Sequence, residues 1–191
     1  MPTRWQFALA ATILALVVAT PLLYAARQNT QMRNFRVVED GVLYRSAQLP
    51  PSGFERVLRN YKIKTVVTLR TTRTAALPPD TWEEGICAAR GVNHKRIVPR
   101  VWGADEHGEI PAEQGIQEFM AVMDKKENHP VLVHCFAGIH RTGTMCAIYR
   151  MEYQGWSADR VMVEMQLCGF APADMHQHIA GYLREYKPRR K

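Results

Sequence analysis

The chain has 191 residues and a formal net charge of +7, from 25 Lys and Arg against 18 Asp and Glu. That length fits one ordinary domain plus an appendage. The charge suits anionic partners without choosing among them. Nucleic acid is disfavoured, because there is no recognition motif and no basic stripe interleaved with aromatics.

From Phe7 to Ala26 no residue is charged, and about twenty such residues span a bilayer as a helix. A cleaved signal peptide competes with that reading. The candidate sites near Ala19 and Ala25 lack a clean small-x-small pattern and the apolar stretch is long, so residues 1–27 are expected to be an uncleaved, single-pass membrane anchor. Arg27, Arg33 and Arg36 outnumber Arg4, which favours a cytoplasmic face for the following domain; a short N-terminus ahead of a bacterial anchor argues for the exterior. Residues 28–36 are polar and read as a linker, 37–187 as the folded domain, and 188–191 as a basic, solvated tail. A weak membrane-surface contact is the tail's alternative role.

Within the domain, Asp40-Gly41 between Val37 and Leu43 signals a small hairpin. Ser52 with Glu55 makes a capping-box pattern ahead of a helix carrying Phe54, Val57 and Leu58. Ile63–Leu69 reads as a buried strand ended by Arg70, which could face a site at that strand end although a structural ion pair is its first reading, and Thr71–Pro79 reads as a loop. Thr81 with Glu84 opens a helix that Gly91 ends. Val92–Val98 reads as a strand, and Pro111 as the first residue of a helix with Ile116, Phe119, Met120 and Met123 on its apolar face. After Val131–Val133 comes a helix to Gln154, with Met145, Ile148, Tyr149 and Met151 as core. Ser157 caps the next helix and Pro172 opens the last. Strands alternating with helices predict an α/β fold, a mostly parallel sheet flanked by helices, with ligands at the carboxyl ends of the strands.

The chemistry concentrates in His134-Cys135-Phe136-Ala137-Gly138-Ile139-His140-Arg141-Thr142-Gly143. An apolar strand leads in and a helix leads out. Helix N-termini and nests of backbone N–H groups bind anions. Arg141 adds a planar fork for two phosphate oxygens, and Gly138 lets the backbone turn. A cysteine in such a positive pocket is expected to ionise and attack a bound phosphoryl group.

These residues match the pattern His-Cys-x-x-Gly-x-x-Arg-Thr-Gly at every defined position, and the chain from about Phe35 to Tyr186 resembles the cysteine-dependent protein tyrosine phosphatases. It looks closest to their compact dual-specificity branch, especially bacterial and fungal members carrying Leu-Tyr-Arg-Ser-Ala-Gln, here Leu43 to Gln48. The resemblance implies a phosphatase-like fold with Cys135 as the nucleophile of a phosphocysteine intermediate and Arg141 as the phosphoryl clamp. Backbone N–H groups of Phe136, Ala137, Gly138, Ile139, His140 and Arg141 would form the substrate cradle. His134 would orient the loop and tune the thiol, and Thr142 would donate a hydrogen bond to the sulfur that helps it leave when water attacks. His134 could equally be a satisfied structural residue, and His140 reads first as a partly exposed loop residue. The family's general acid lies on a mobile loop about thirty residues upstream, which selects Asp105. Gly103 and Gly108 flank it and Trp102 could anchor it, with Glu106 and Glu109 as rivals.

The expected substrate is a phosphorylated protein or small phosphate ester, most of all protein phosphotyrosine, with phosphoserine or phosphothreonine as further targets. Fungal relatives acting on inositol pyrophosphates supply the alternative. Phe136, Ala137 and Ile139 bring no positive charge to the loop for a polyphosphate, and only His140 blunts that argument. A phosphoresidue-binding module without catalysis would be expected to lack Cys135 or Arg141, and sulfur transfer would need neither Thr142-Gly143 nor an upstream acid. No cofactor or metal is expected, since Cys87, Cys135, Cys146 and Cys168 lack metal spacing and His176 and His178 read as surface residues. Cys87 and Cys146 are read as packing, and the protein as a monomer.

Overall fold

The computed structural model describes residues 4–70, 81–171 and 177–189. A long helix, α1 (Arg4–Gln31), precedes a hairpin of β1 (Arg36–Glu39) and β2 (Leu43–Ser46). Then follow α2 (Pro51–Asn60), β3 (Thr65–Thr68), α3 (Thr81–Ala89), β4 (Asn93–Arg96) and α4 (Ala112–Met123). The last elements are β5 (Val131–His134), α5 (His140–Gln154), α6 (Ala158–Leu167) and α7 (Gln177–Glu185). The strands lie in the order β1-β2-β5-β3-β4. Only β1 is antiparallel to its neighbour.

Every residue of β2, β3 and β5 is buried, as parallel strands require when helices cover both faces. One face packs Val67, Val131 and Val133 against α4, α5, α6 and α7, with Phe119, Met145, Ile148, Val161, Met165 and Leu183 at its centre. The other packs Tyr44, Val66 and Leu132 against Phe54, Val57 and Leu58 of α2 and Cys87 of α3. The edge strand β4 is polar and half-exposed, which protects its open backbone from unwanted pairing. β5 lies centrally, with Ser46 beside His134 on one flank and Thr68 beside it on the other, so the chain leaving His134 emerges between two neighbouring strand ends.

Several local expectations need correction. The Ser52–Glu55 capping box does not form: α2 starts after Pro50 with no side-chain cap, Ser52 Oγ donates to Gln31 Oε1 at 2.6 Å, and Glu55 pairs with Arg90. Proline geometry already sets the helix start, which frees both side chains. Pro111 caps α4 instead of opening it. The polar stretch after residue 27 is partly helical, because α1 runs on to Gln31 and rests against α2. A side chain at Gly53 would meet Gln31 O at 2.1 Å, so this seat needs glycine. The basic tail is not simply solvated. Arg189 N donates to Glu152 Oε1 at 2.9 Å, its guanidinium reaches Glu152 and Asp124, and Glu152 is buried. Burial raises the Glu152 carboxyl, but hydrogen bonds from Tyr186 and Arg189 outweigh it and hold the group below the usual range. Ser157 caps α6 as expected, accepting from Arg160 N. The Thr71–Pro79 loop, His176 and the helix opening at Pro172 lie outside the described residues, and α7 is described from Gln177.

Candidate active site

The geometry begins with three loop carbonyls that the surrounding structure draws outward. Phe136 O accepts from Gln48 N at 3.1 Å, Ala137 O from Asn34 Nδ2 at 2.7 Å, and Gly138 O from Arg45 Nη2 at 2.7 Å. In a trans peptide the next N–H points opposite to the carbonyl, so the N–H groups of Ala137, Gly138 and Ile139 turn inward. Gly138 N indeed donates to Cys135 Sγ at 3.3 Å. Gly138 has φ +70, and a Cβ there would sit 2.6 Å from Ser46 C, Ser46 O and Ala47 N. The loop thus crosses the end of β2 at a distance only glycine permits.

Cys135 is 5 % exposed, at the floor of a cavity of about 670 Å³. Phe136, Ala137, His140 and Arg141 line the cavity beside it, and its walls include Leu69, Ile97, Val98, Val101, Trp102 and Ile179. Arg141 Nη1 donates to Leu69 O at 3.3 Å, so the end of β3 steers the guanidinium at the cavity edge. His140 opens α5 and packs edge-on against Phe170, with ring centroids 5.7 Å apart; it is a cavity residue more than a loop residue. The other cysteines are free and buried. Burial, helped by Glu83 and Glu84, pushes the Cys87 thiol up to about 12, and burial pushes Cys146 up to about 11. Both are inert packing groups.

Trp102 does anchor its loop, packing on Tyr182 with ring centroids 5.3 Å apart. Asp105 is exposed and is not among the described residues lining the cavity. Its Oδ1 accepts from His107 N at 2.9 Å and Glu109 N at 3.0 Å, so in this state it organises its own turn. Glu106 and Glu109 are also exposed. The Thr142 hydroxyl is buried and has no hydrogen-bond partner among the described residues, so the expected donation to sulfur is not made here.

Sequence reasoning passed over several residues that build this site. Arg45 and Gln48 fall inside the Leu43–Gln48 run, which by itself assigns them no role, and Asn34 lies in the polar stretch that reads as linker. Arg33, read only for its charge beside the anchor, lies with its guanidinium 5.4 Å from the Phe136 ring centroid; Arg70, for which the sequence offers a place facing the site behind a structural ion pair, lies at the same distance and donates to Gln48 Oε1 at 3.0 Å. Glu83, on α3, is 0 % exposed with Oε2 3.1 Å from His134 Nε2. Its signal was helical spacing: Glu83 precedes Cys87 by one turn, which places it on the buried face.

Comparison with known proteins agrees with this architecture. The family described as DSP-PTPase phosphatase fused to NAD+ kinase matches residues 22–180. The dual specificity protein phosphatase TpbA of Pseudomonas aeruginosa is 30 % identical over 142 residues, covering 74 % of this chain and 58 % of that protein. The inositol diphosphatase DSP3 of Arabidopsis thaliana is 28 % identical over 133 residues, covering 70 % of this chain and 61 % of its own length. The chain therefore spans less than two thirds of the curated relatives it matches first. Among solved structures, the catalytic domain of the PP-IP phosphatase SIW14 from S. cerevisiae superposes with a TM-score of 0.65 at 20 % identity, covering 82 % of this chain and 86 % of that one. That of P. aeruginosa TpbA gives 0.60 at 25 % identity, covering 81 % and 85 %. By the extent of the family match and the residues that carry it, the chain belongs to the compact dual-specificity-like branch of the cysteine-dependent phosphatases.

Proposed function

We propose that the protein hydrolyses phosphomonoesters through a phosphocysteine intermediate and that protein phosphotyrosine is its main substrate. The observation that carries the reading is the outward tethering of the Phe136, Ala137 and Gly138 carbonyls, which leaves an N–H-lined cradle above the sulfur. The Cys135 thiolate attacks phosphorus in line as the P–O bond to the leaving group breaks. Arg141 holds two of the non-bridging oxygens. Asp105 protonates the departing oxygen once its loop swings over the cavity, then takes a proton from the water that cleaves the S–P bond. Phosphate leaves and the thiolate is restored.

The apolar walls at Val98, Val101, Trp102 and Ile179 give an aromatic ring a surface to bury against, which favours an aryl ester. TpbA's name as a dual specificity phosphatase is consistent with this. One observation favours a second reading, an inositol diphosphate substrate: Arg33 and Arg70 beside Phe136 place positive charge near the cradle, and DSP3 is named for that activity.

The proposal extends to membrane anchoring by α1. Its residues Arg4–Tyr24 are long and apolar enough to cross a bilayer, and Phe7, Leu14, Val17, Leu22 and Leu23 are exposed. The arginines that follow favour the cytoplasmic face. The test is turnover of a phosphotyrosine peptide, a phosphoserine peptide and an inositol pyrophosphate by the full chain in detergent, with Cys135→Ser as control. Preference for the phosphotyrosine peptide is expected. Preference for the pyrophosphate overturns the substrate assignment, and turnover surviving Cys135→Ser overturns the mechanism.

A further inference from the structure

Phe136 lines the catalytic cavity beside Cys135, yet it is 59 % exposed. Arg33 and Arg70 each hold a guanidinium 5.4 Å from its ring centroid. Neither guanidinium makes an ion pair among the described residues. Arg70 is fixed in place by its bond to Gln48 Oε1, and Gln48 is held in turn by Glu83 Oε1 and by the bond from its own N–H to Phe136 O. An aromatic face is a weaker partner for a guanidinium than a carboxylate is. Two like charges gathered at one ring, with no carboxylate to answer them, favour an anion brought from outside.

A second cavity, of about 660 Å³, adjoins this platform, since Arg33 and Gln48 line it. Leu49, Pro50, Pro51 and Trp82 make its apolar part. Trp82 is held edge-on against Phe54 of α2, with ring centroids 5.5 Å apart, so that part is preformed. Thr30 and Arg33 bring to it the end of α1 and the turn that follows, and that helix end is seated on Gly53. Phe136 belongs to the first cavity and meets Arg33, which belongs to the second. An extended chain leaving the cradle over this ring, at about 3.3 Å per residue, therefore reaches the second cavity within a few residues. An inositol polyphosphate would use the charge and find nothing in the apolar part; a peptide uses both.

We propose that Arg33, Arg70 and the groove beyond them bind the segment next to a substrate phosphotyrosine and select segments with an acidic residue within about three positions of it. The acidic side chain reaches the two guanidinium groups, and the residues that follow lie against Leu49, Pro50 and Trp82. The inference deepens the phosphotyrosine reading and rests on it.

The experiment is steady-state kinetics of the full chain in detergent at low salt, with thermal unfolding run in parallel. Two matched phosphotyrosine peptides carry either Glu or Gln at the positions flanking the phosphotyrosine. The Glu peptide is expected to have a KM about fivefold lower, as an exposed ion pair allows, at similar kcat. Arg33→Gln is expected to cut that ratio to about two, and Arg33→Gln combined with Arg70→Gln to about one. Arg33 is exposed, so the single variant suffices if the double one does not fold. Arg36→Gln, which removes the same charge from β1 outside the groove, is expected to keep the ratio. Equal KM values in the unaltered chain overturn the inference, as does a ratio that survives Arg33→Gln or that Arg36→Gln lowers equally. So does inhibition by inositol hexakisphosphate that Arg33→Gln relieves while the two peptides stay unseparated, which assigns the arginines to a polyphosphate. Hydrolysis of p-nitrophenyl phosphate but of neither peptide defeats the phosphotyrosine reading and this inference with it, whereas equal turnover of both peptides defeats this inference alone.

Discussion

Replacing Gly138 with alanine places a methyl group 2.6 Å from Ser46 C, Ser46 O and Ala47 N. None of those atoms can yield easily. β2 is paired along its length with β5, Ala47 N donates to Arg33 O at 2.9 Å, and the Arg45 and Gln48 tethers run from the same strand end into the loop. The loop must therefore retreat by about 0.8 Å to restore ordinary contact. The left-handed backbone adds about 1 kcal/mol for any residue with a Cβ, and the displaced packing about 1–3 kcal/mol more. For a chain of this size that lowers the melting temperature by roughly 5–10 °C. The same retreat carries the Gly138 N–H away from Cys135 Sγ, and misplacement of about 1 Å at a reacting centre costs about a hundredfold in rate. The assay is kcat/KM on p-nitrophenyl phosphate well below the melting transition. Gly41→Ala is the control, because Gly41 has the same φ of +70 but nothing within 4 Å of a Cβ; it should cost about 1 kcal/mol and no activity. If Gly138→Ala retains near-normal kcat/KM, or if Gly41→Ala matches its loss, the close crossing of β2 does not set the cradle.

Asp105→Asn preserves an oxygen for the His107 and Glu109 N–H groups while removing the transferable proton. It should lower turnover of phosphotyrosine by about a hundredfold and that of p-nitrophenyl phosphate far less, since nitrophenolate leaves unaided. Equal losses on both substrates, or a larger selective loss in Glu106→Gln or Glu109→Gln, reassign the acid. Arg189→Ala should destabilise the fold by about 1 kcal/mol at pH 7, a modest figure because the guanidinium is half in water. The Glu152 carboxyl is depressed in the folded state, so its contribution is full above the ordinary glutamate value of about 4.3 and is lost as pH falls through the folded value. The gap between wild type and Arg189→Ala in thermal unfolding should therefore close in acid, and a gap independent of pH means that the tail contact acts through packing.

What the sequence disclosed and what it withheld divide by sequence distance. Cys135, Gly138 and Arg141 announce themselves because one strand, one turn and one helix start place them together, and helical and strand periodicities found the core positions Phe54, Phe119, Ile148 and Met145 for the same local reason. The groups that give the loop its polarity come from far away: Arg45 is 93 positions from Gly138 and Asn34 is 103 from Ala137. No local pattern marks Asn34, which sits in a polar stretch and looks like linker until the parallel pairing of β2 with β5 brings that stretch beside the loop. Glu83 was concealed differently, since a glutamate in a first helical turn is already explained by the helix dipole and only its phase with Cys87 shows it facing inward. A chain carrying the Cys-x5-Arg signature alone would keep its nucleophile and clamp, yet its carbonyls could turn toward the anion and repel it. The cradle's sign is thus a property of the tertiary fold: the signature supplies the thiol and the guanidinium, and the segment from Asn34 to Gln48 determines which edge of the peptide groups they face.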